Sequence, residues 1–343
     1  MTWPIRNILN IVAAEQGQTL PATKTTHWAS ELIQRHIRLS SYLLVTYLSY
    51  TFTFPIDAAS KGWHINWISI IIFRNLFLML FFVHGWHWYL YERISQKPDY
   101  LKSIKFNKKN QYENNKQHLN REQIYTTLGF LMSSLYEIIV IRLWATKHAY
   151  IQPYYRFFWN FPIWSIFQLL IVGYWRDLHF YAVHRFMHPH RFKLFGYVDV
   201  GQWMYTNVHS LHHKSHNPGP WSGLSMHPIE HLLYYTCTLL NFVFVLHPFH
   251  FLYNKFHADL SPIAGHDGHD KPAGGSLFHY LHHAHFECNY GTPMVPLDVF
   301  FGTYVSTEEQ WKEKSRIKKE QRQGKKGGIA GKEQEQEMKD KIE

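Results

Sequence analysis

Cysteine is nearly absent from this chain. Two residues in 343, Cys237 inside an apolar run and Cys288 beside a group of histidines, cannot build a disulfide framework or a cysteine zinc site. Any bound metal therefore falls to histidine. Charge is scarce as well: 35 Lys and Arg with 25 Asp and Glu make 17% of the residues, and 20 of these 60 crowd into the 36 residues from Glu308 to Glu343. The rest is dominated by aromatic and aliphatic runs, too apolar for a disordered chain. No GxGxxG follows a strand pattern and no Walker loop occurs, which leaves no evident nucleotide site. The net charge of +10 forms no stripe of Lys and Arg interleaved with aromatics, so nucleic acid is not indicated and an anionic membrane surface fits better. The N-terminal MTWPIRNILNIVAAEQGQTL lacks the basic start, unbroken apolar core and small-residue cleavage site of a secretory signal, and reads as mature sequence.

What is present begins with four apolar segments, Ser41 to Ile56, Trp67 to Leu90, Ile124 to Trp144 and Phe157 to Trp175. Each is near the ~20 residues a helix needs to cross hydrocarbon, and Trp and Tyr sit at their ends as in interfacial belts. Arg74 and Glu137 fall inside the second and third segments, where each needs an internal partner. The linker from Lys97 to Glu122 holds seven Lys and Arg against three acids, which places it on the cytosolic side. Crossing out and back through the next two segments returns the chain after Trp175 to that side. A further apolar stretch, His231 to Tyr253, is broken by Pro248 and is short for a crossing, so it reads as a shallow or re-entrant hairpin.

Histidine is the conspicuous excess. Of 26, 19 lie between His179 and His285. Three groups have ligand spacing: His184 and His188 in HRFMH, then His209, His212 and His213 in HSLHH, then His279, His282 and His283 in HYLHH. Spacings of three and four put imidazoles on one helix face, and the adjacent pair of each HxxHH can face two metals. Eight neutral imidazoles suit two borderline metals better than one.

HRFMH, HSLHH and HYLHH resemble the three histidine boxes of the fatty acid hydroxylase/sterol desaturase superfamily. Asp177 before the first box, the HPIEH element, AGHDG and the NYGTPMVPLDVFFGTY ending resemble further family elements, over about Trp164 to Tyr304. Leu297 stands before Asp298 where many members have Trp. HPIEH and AGHDG look closer to the sterol desaturase-like branch. The resemblance implies an endoplasmic-reticulum membrane enzyme with a cytosolic di-iron centre of two Fe(II) ions. It would use O2 as co-substrate and electrons from NAD(P)H, delivered through a reductase and cytochrome b5. Carried over position by position, the ligands are the eight box histidines, with His266 of AGHDG as a ninth. Asp177 and Glu230, with Asp267 and Asp270, are candidates to orient ligands, or else are caps or surface charges. His227 and His231 are ligands or supports, or else the rim of a helix starting after Pro228.

The expected fold class is all-α: a polytopic membrane protein with about four transmembrane helices and a cytosolic, helical, histidine-rich cap. Its expected organisation is an N-terminal segment over 1–40, transmembrane helices over 41–157 with the basic linker 97–122, a catalytic domain over 158–305, and a charged, disordered tail over 306–343. The expected function is hydroxylation or desaturation of a lipid, a sterol before a fatty acid or sphingolipid, with electrons from a partner. Arg185, Arg191, Lys193, Lys214 and Lys271 could dock that partner or lipid head groups. The rival from another class is a histidine-rich membrane protein that binds or transports zinc or copper, which predicts ligands inside the membrane spans.

Overall fold

The computed structural model describes residues 28–93, 111–112, 115–148, 162–189, 193–194, 198–243, 247–269, 275–292 and 295–320. Most of the N-terminal segment and of the basic linker lies outside them, as do Arg191, Asp270, Lys271 and residues 321–343. The chain divides into two units, Met1–Thr303 and Tyr304–Glu343.

In the first unit the order is α1 (Trp28–Thr53), α2 (Ile56–Lys61), α3 (Ile65–Arg93), α4 (Lys116–Ala145) and α5 (Pro162–Phe186). Next come α6, running from Val200–Met204 through a π turn at Tyr205–His209 to Ser210–His213, and α7 (Pro228–Tyr235). The last are α8 (Leu240–Val243), α9 (Pro248–Gly265), α10 (Gly275–His285) and α11 (Leu297–Phe300). Apart from a ribbon pairing Lys193–Leu194 with Val198–Asp199, the regular structure among the described residues is helical. The all-α expectation holds.

Among the described residues two helices, α3 and α4, are long and apolar enough to cross a membrane. Of the other two expected segments, residues 41–53 are helical within α1 and the described residues 162–175 within α5. Their windows carry more Tyr, Trp, Gln and charge, which dilutes their hydropathy. Both present apolar side chains outward, Phe52 at 75% and Ile163 at 83% exposure among them. The broken stretch at Pro248 folds back on itself. Tyr234 Oη donates to the Ala258 carbonyl (2.7 Å), Tyr235 Oη to Asp259 (2.8 Å) and Asn254 Nδ2 to the Cys237 carbonyl (2.9 Å), so α9 runs antiparallel to α7. Both helices start the same way, with Pro at the first helical position and the preceding histidine, His227 or His247, accepting from a backbone N–H two residues on (3.2 Å each). His227 is thus a helix cap.

The polar residues inside the apolar helices find one another. Glu137 on α4 is fully buried and takes hydrogen bonds from Arg74 and from Asn75 Nδ2 (3.2 Å), both on α3. It also faces Lys255 Nζ of α9 at 3.3 Å, and Lys255 in turn pairs with Asp259 at 2.9 Å. Two cations and two anions close into one neutral group that joins three helices.

In the second unit the structure differs from the expected disordered tail. Residues 308–320 are helical. Thr307 Oγ1 accepts from the Gln310 N–H (3.2 Å), and Arg316 pairs with Glu313 (2.7 Å) and Glu320 (3.0 Å) one turn away on either side. Helix formation here rests on capping and on i,i+3 and i,i+4 charge pairs rather than on an apolar stripe, which is why hydrophobic periodicity gave no sign of it.

Removing one member of a buried ion-pair group strands the others. Glu137→Ala should cost about 3–5 kcal/mol of stability, measured as thermal unfolding in detergent; a loss under about 1 kcal/mol would show that the group does not hold the three helices together.

Candidate metal centre

Four segments supply the histidines. The last turns of α5 carry His184 and, just past its end, His188; α6 carries His209, His212 and His213; α10 carries His279, His282 and His283; His266 follows the C-terminus of α9. Every one of the nine residues singled out by motif is buried, and together they form two groups. His184, His188, His209, His213 and His282 have ring nitrogens within 4.8 Å of one another, and so do His212, His266, His279 and His283. The adjacent pairs divide as the spacing suggested. In α6, His209 and His213 face the first group and His212 the second; in α10, His279 and His283 face the second and His282 the first.

The ring nitrogens of each group converge, and carbonyls behind four of the rings fix which nitrogen points inward. His184 Nδ1 donates to the Tyr290 carbonyl (2.6 Å), His282 Nδ1 to that of Cys288 (2.6 Å), His212 Nδ1 to that of Ser225 (3.4 Å) and His266 Nδ1 to that of Pro262 (2.8 Å). With the proton on Nδ1 of a neutral ring, Nε2 is an acceptor. Yet Nε2 of His209 lies 3.1 Å from that of His184 and 3.0 Å from that of His213, and His213 Nε2 lies 3.2 Å from His188 and 3.1 Å from His282. In the second group His266 Nε2 lies 3.0 Å from His279, 3.1 Å from His283 and 3.4 Å from His212. His212 and His266 are both fixed as acceptors where they face each other, and a cation between them would satisfy both. Nitrogens about 2.1 Å from one ion and at right angles about it would be ~3.0 Å apart. The donor set thus fits two divalent ions of the kind that accept imidazole.

Burial keeps these rings neutral. It lowers His209 to about 3 and His266 to about 4, and it takes His184, His188, His212, His213, His279, His282 and His283 well below the ordinary value, the last seven helped by their neighbouring imidazoles. Glu230 on α7, a sequence candidate for an orienting role, faces His209 Nδ1 at 2.7 Å. Burial raises its carboxyl well above the usual range and lowers the imidazole, so without a metal both partners are pushed toward neutrality. A cation at Nε2 would pull the carboxylate form back into place.

The other candidates are placed elsewhere. Asp177 is half-buried on α5, two turns before His184. Asp267 accepts from Trp86 Nε1 (3.1 Å) and from the His269 N–H (3.0 Å). His231 is packed against Gly129 of α4, outside both groups. The unforeseen contributors are main-chain carbonyls and what fixes them. Asp298 accepts from the N–H groups of Tyr290 (2.8 Å) and Gly291 (2.7 Å) and from Thr303 Oγ1 (2.5 Å). It thereby holds the carbonyl that orients His184. The NYG, Asp and GT elements of the sequence are the parts of this one clamp, and their common recurrence near the last box was the available signal.

An all-helical scaffold presenting two converging sets of imidazoles defines a domain with two histidine clusters able to hold metal. Comparison with known proteins narrows the class: residues 169–303 match the fatty acid hydroxylase family model. Two delta(7)-sterol 5(6)-desaturases of Gibberella zeae are similar to it, one 29% identical over 162 residues (45% of this chain, 40% of the relative) and one 27% identical over 157 (41% and 42%). A Dictyostelium discoideum protein provisionally named a methylsterol monooxygenase is 29% identical over 143 residues (37% and 46%). The resemblance is to the sterol desaturase-like branch, and the chain spans less than half the length of these relatives. No solved structure shows a significant match.

Two outcomes are expected. Asp298→Ala frees the 290–291 backbone and should weaken metal binding about 10- to 100-fold, measured by competition with a chelator; unchanged affinity would separate this clamp from the site. The metal-free protein should be less stable in acid, because the folded imidazoles resist protons that the unfolded chain takes up below about pH 6.5. The stabilisation is complete above that pH and is lost progressively toward the folded values of about 4 for His266 and 3 for His209. A melting temperature at pH 5 equal to that at pH 7.5 would contradict it.

Proposed function

We propose that this chain is a membrane-bound non-haem di-iron oxygenase that hydroxylates or desaturates a lipid, with a sterol as substrate. The observation that carries the reading is the division of two adjacent-histidine pairs between two neighbouring sets of Nε2 lone pairs. His184, His188, His209, His213 and His282 would hold one iron; His212, His266, His279 and His283 would hold the other. Two Fe(II) ions sharing the reduction of one O2 would supply what hydrogen removal from an unactivated C–H bond requires.

The chain's own contribution is positioning and exclusion. Carbonyls of Tyr290, Cys288, Ser225 and Pro262 keep protons on Nδ1 and aim Nε2 inward. Glu230 does the same for His209. Phe286, 4.8 Å from the His213 ring, closes one side against water. Phe180, half-buried, touches one histidine of each set, His184 at 5.0 Å and His279 at 6.3 Å between ring centroids. His279 is also the most exposed of the nine, at 7%. A lipid chain or ring would approach past these two residues.

Membrane residence is supported by α3 and α4 and by the outward apolar faces of α1 and α5. None of the nine histidines lies on α3 or α4, which argues against metal transport through those helices. We place the centre on the cytosolic face of the endoplasmic reticulum, where a cytochrome b5 reduced by an NAD(P)H-dependent reductase can reach it. The sterol assignment draws on the relatives named as sterol enzymes; the family match leaves fatty acids or sphingolipids as the other outcome of lipid profiling.

About two irons per chain are expected after anaerobic purification in detergent. His212→Ala and His282→Ala should each abolish product while the protein still inserts in membranes. Turnover retained in both, or zinc or copper in a fixed ratio with no activity after iron reconstitution, would overturn the proposal.

A further inference from the structure

His266 differs from the other eight ligating candidates. It belongs to no box and no helix, following α9 with its ring held by the Pro262 carbonyl. Its loop is fastened instead by the end of α3, some 180 residues away in sequence. Trp86 Nε1 donates to Asp267 Oδ2 (3.1 Å) and Tyr91 Oη donates to the Asp267 main-chain carbonyl (3.0 Å), so one residue is gripped by both its side chain and its backbone. Asp267 then shapes the turn by accepting the His269 N–H (3.0 Å). Gly268 has φ +77°, and a Cβ there would stand 2.6 Å from Tyr91 Oη, so only glycine admits the tyrosine. Tyr91 is itself fixed, stacked on His87 at 5.3 Å and receiving a hydrogen bond from Gln111 Nε2 (3.3 Å).

The local form of α3 explains how both grips reach one loop. Residues five apart on an α-helix are separated by about 140° around the axis. α3 becomes π-helical at Trp88–Arg93, where i→i+5 bonding brings positions five apart close to one face. Trp86 stands just before that segment, in the α-helical Gly85–His87, and Tyr91 lies within it, so the wider π turn narrows the angle between the two. An unbroken α-helix would turn one of them away.

We propose that Trp86 and Tyr91 are positioning residues for the second metal: the end of membrane helix α3 sets the place of His266, and occupancy of the His212, His266, His279 and His283 set depends on that latch. The proposal rests on the ligand assignment above, and the experiment separates the two. Iron per chain is measured after saturating anaerobic reconstitution with Fe(II), together with the Mössbauer signature of coupled iron, for the wild type and for Trp86→Phe, Tyr91→Phe, His266→Ala and His188→Ala. Tyr91→Phe removes only the hydroxyl, and Trp86→Phe keeps an aromatic side chain while removing the indole N–H. They should fall from about two irons toward one and lose the coupled signature, as His266→Ala should, while the protein elutes as a single species with its first site filled. His188→Ala should impair the first set instead. Two irons retained in Trp86→Phe and Tyr91→Phe, with loss in His266→Ala, would overturn the latch and leave the ligand set standing. Two irons retained in His266→Ala would remove the ligand assignment itself. Equal loss from both sets in the latch variants would mark general destabilisation and also overturn the proposal.

Discussion

Nine imidazole lone pairs aimed at two points are mutually repulsive, and the rest of the fold is arranged to make that tolerable. Burial alone would achieve neutrality, since an unpaired cation is costly in a dry interior. Neutrality is not orientation. A neutral imidazole could turn either nitrogen inward, and what selects Nε2 is an acceptor behind the ring: Tyr290, Cys288, Ser225 and Pro262 carbonyls and the Glu230 carboxyl. The acceptors come from separate stretches of chain: the loop after α10 (Cys288 and Tyr290), Ser225 and Glu230 around the start of α7, and Pro262 in the last turn of α9. The site therefore cannot form piecemeal, and the elements around it are best understood as means of holding those acceptors still.

That dependence explains which parts were legible in the sequence. The histidines were, because a helix converts spacing directly into facing, and HxxHH necessarily splits its adjacent pair. The all-helical class was legible for the same reason. Partners separated by long stretches of chain were not. That Glu137 would need a cation was readable; that it would find Arg74 on the neighbouring helix and Lys255 on a hairpin more than a hundred residues on was not. Likewise the Asp298 clamp uses backbone N–H and C=O groups, which every residue carries and no residue type advertises. Helix 308–320, expected as disordered, depends on pairwise charge geometry that composition averages away.

The buried charge group and the metal centre answer the same problem at two depths. In each, groups that water would otherwise stabilise are withdrawn from it and must be compensated by neighbours. Among Arg74, Glu137, Lys255 and Asp259 the compensation is internal, two charges of each sign, and the group is complete as it stands. Among the histidines it is not: the Nε2 atoms of His184, His212, His266 and His282 are acceptors once the carbonyls have taken their Nδ1 protons. One group closes the structure, and the other leaves a demand for positive charge.

Both groups are linked through α9. Its middle carries Lys255 and Asp259, bound to the apolar helices, and its end delivers His266 to the second imidazole set. α3 is tied to the same helix near both places, through Arg74 at the shared Glu137 and through Trp86 and Tyr91 at the loop that follows. A helix anchored at two points about ten residues apart cannot slide or rotate without breaking one of them. The apolar helices therefore do more than present apolar faces. They fix the height and the rotation of α9, and with it the position of the one histidine that no box supplies.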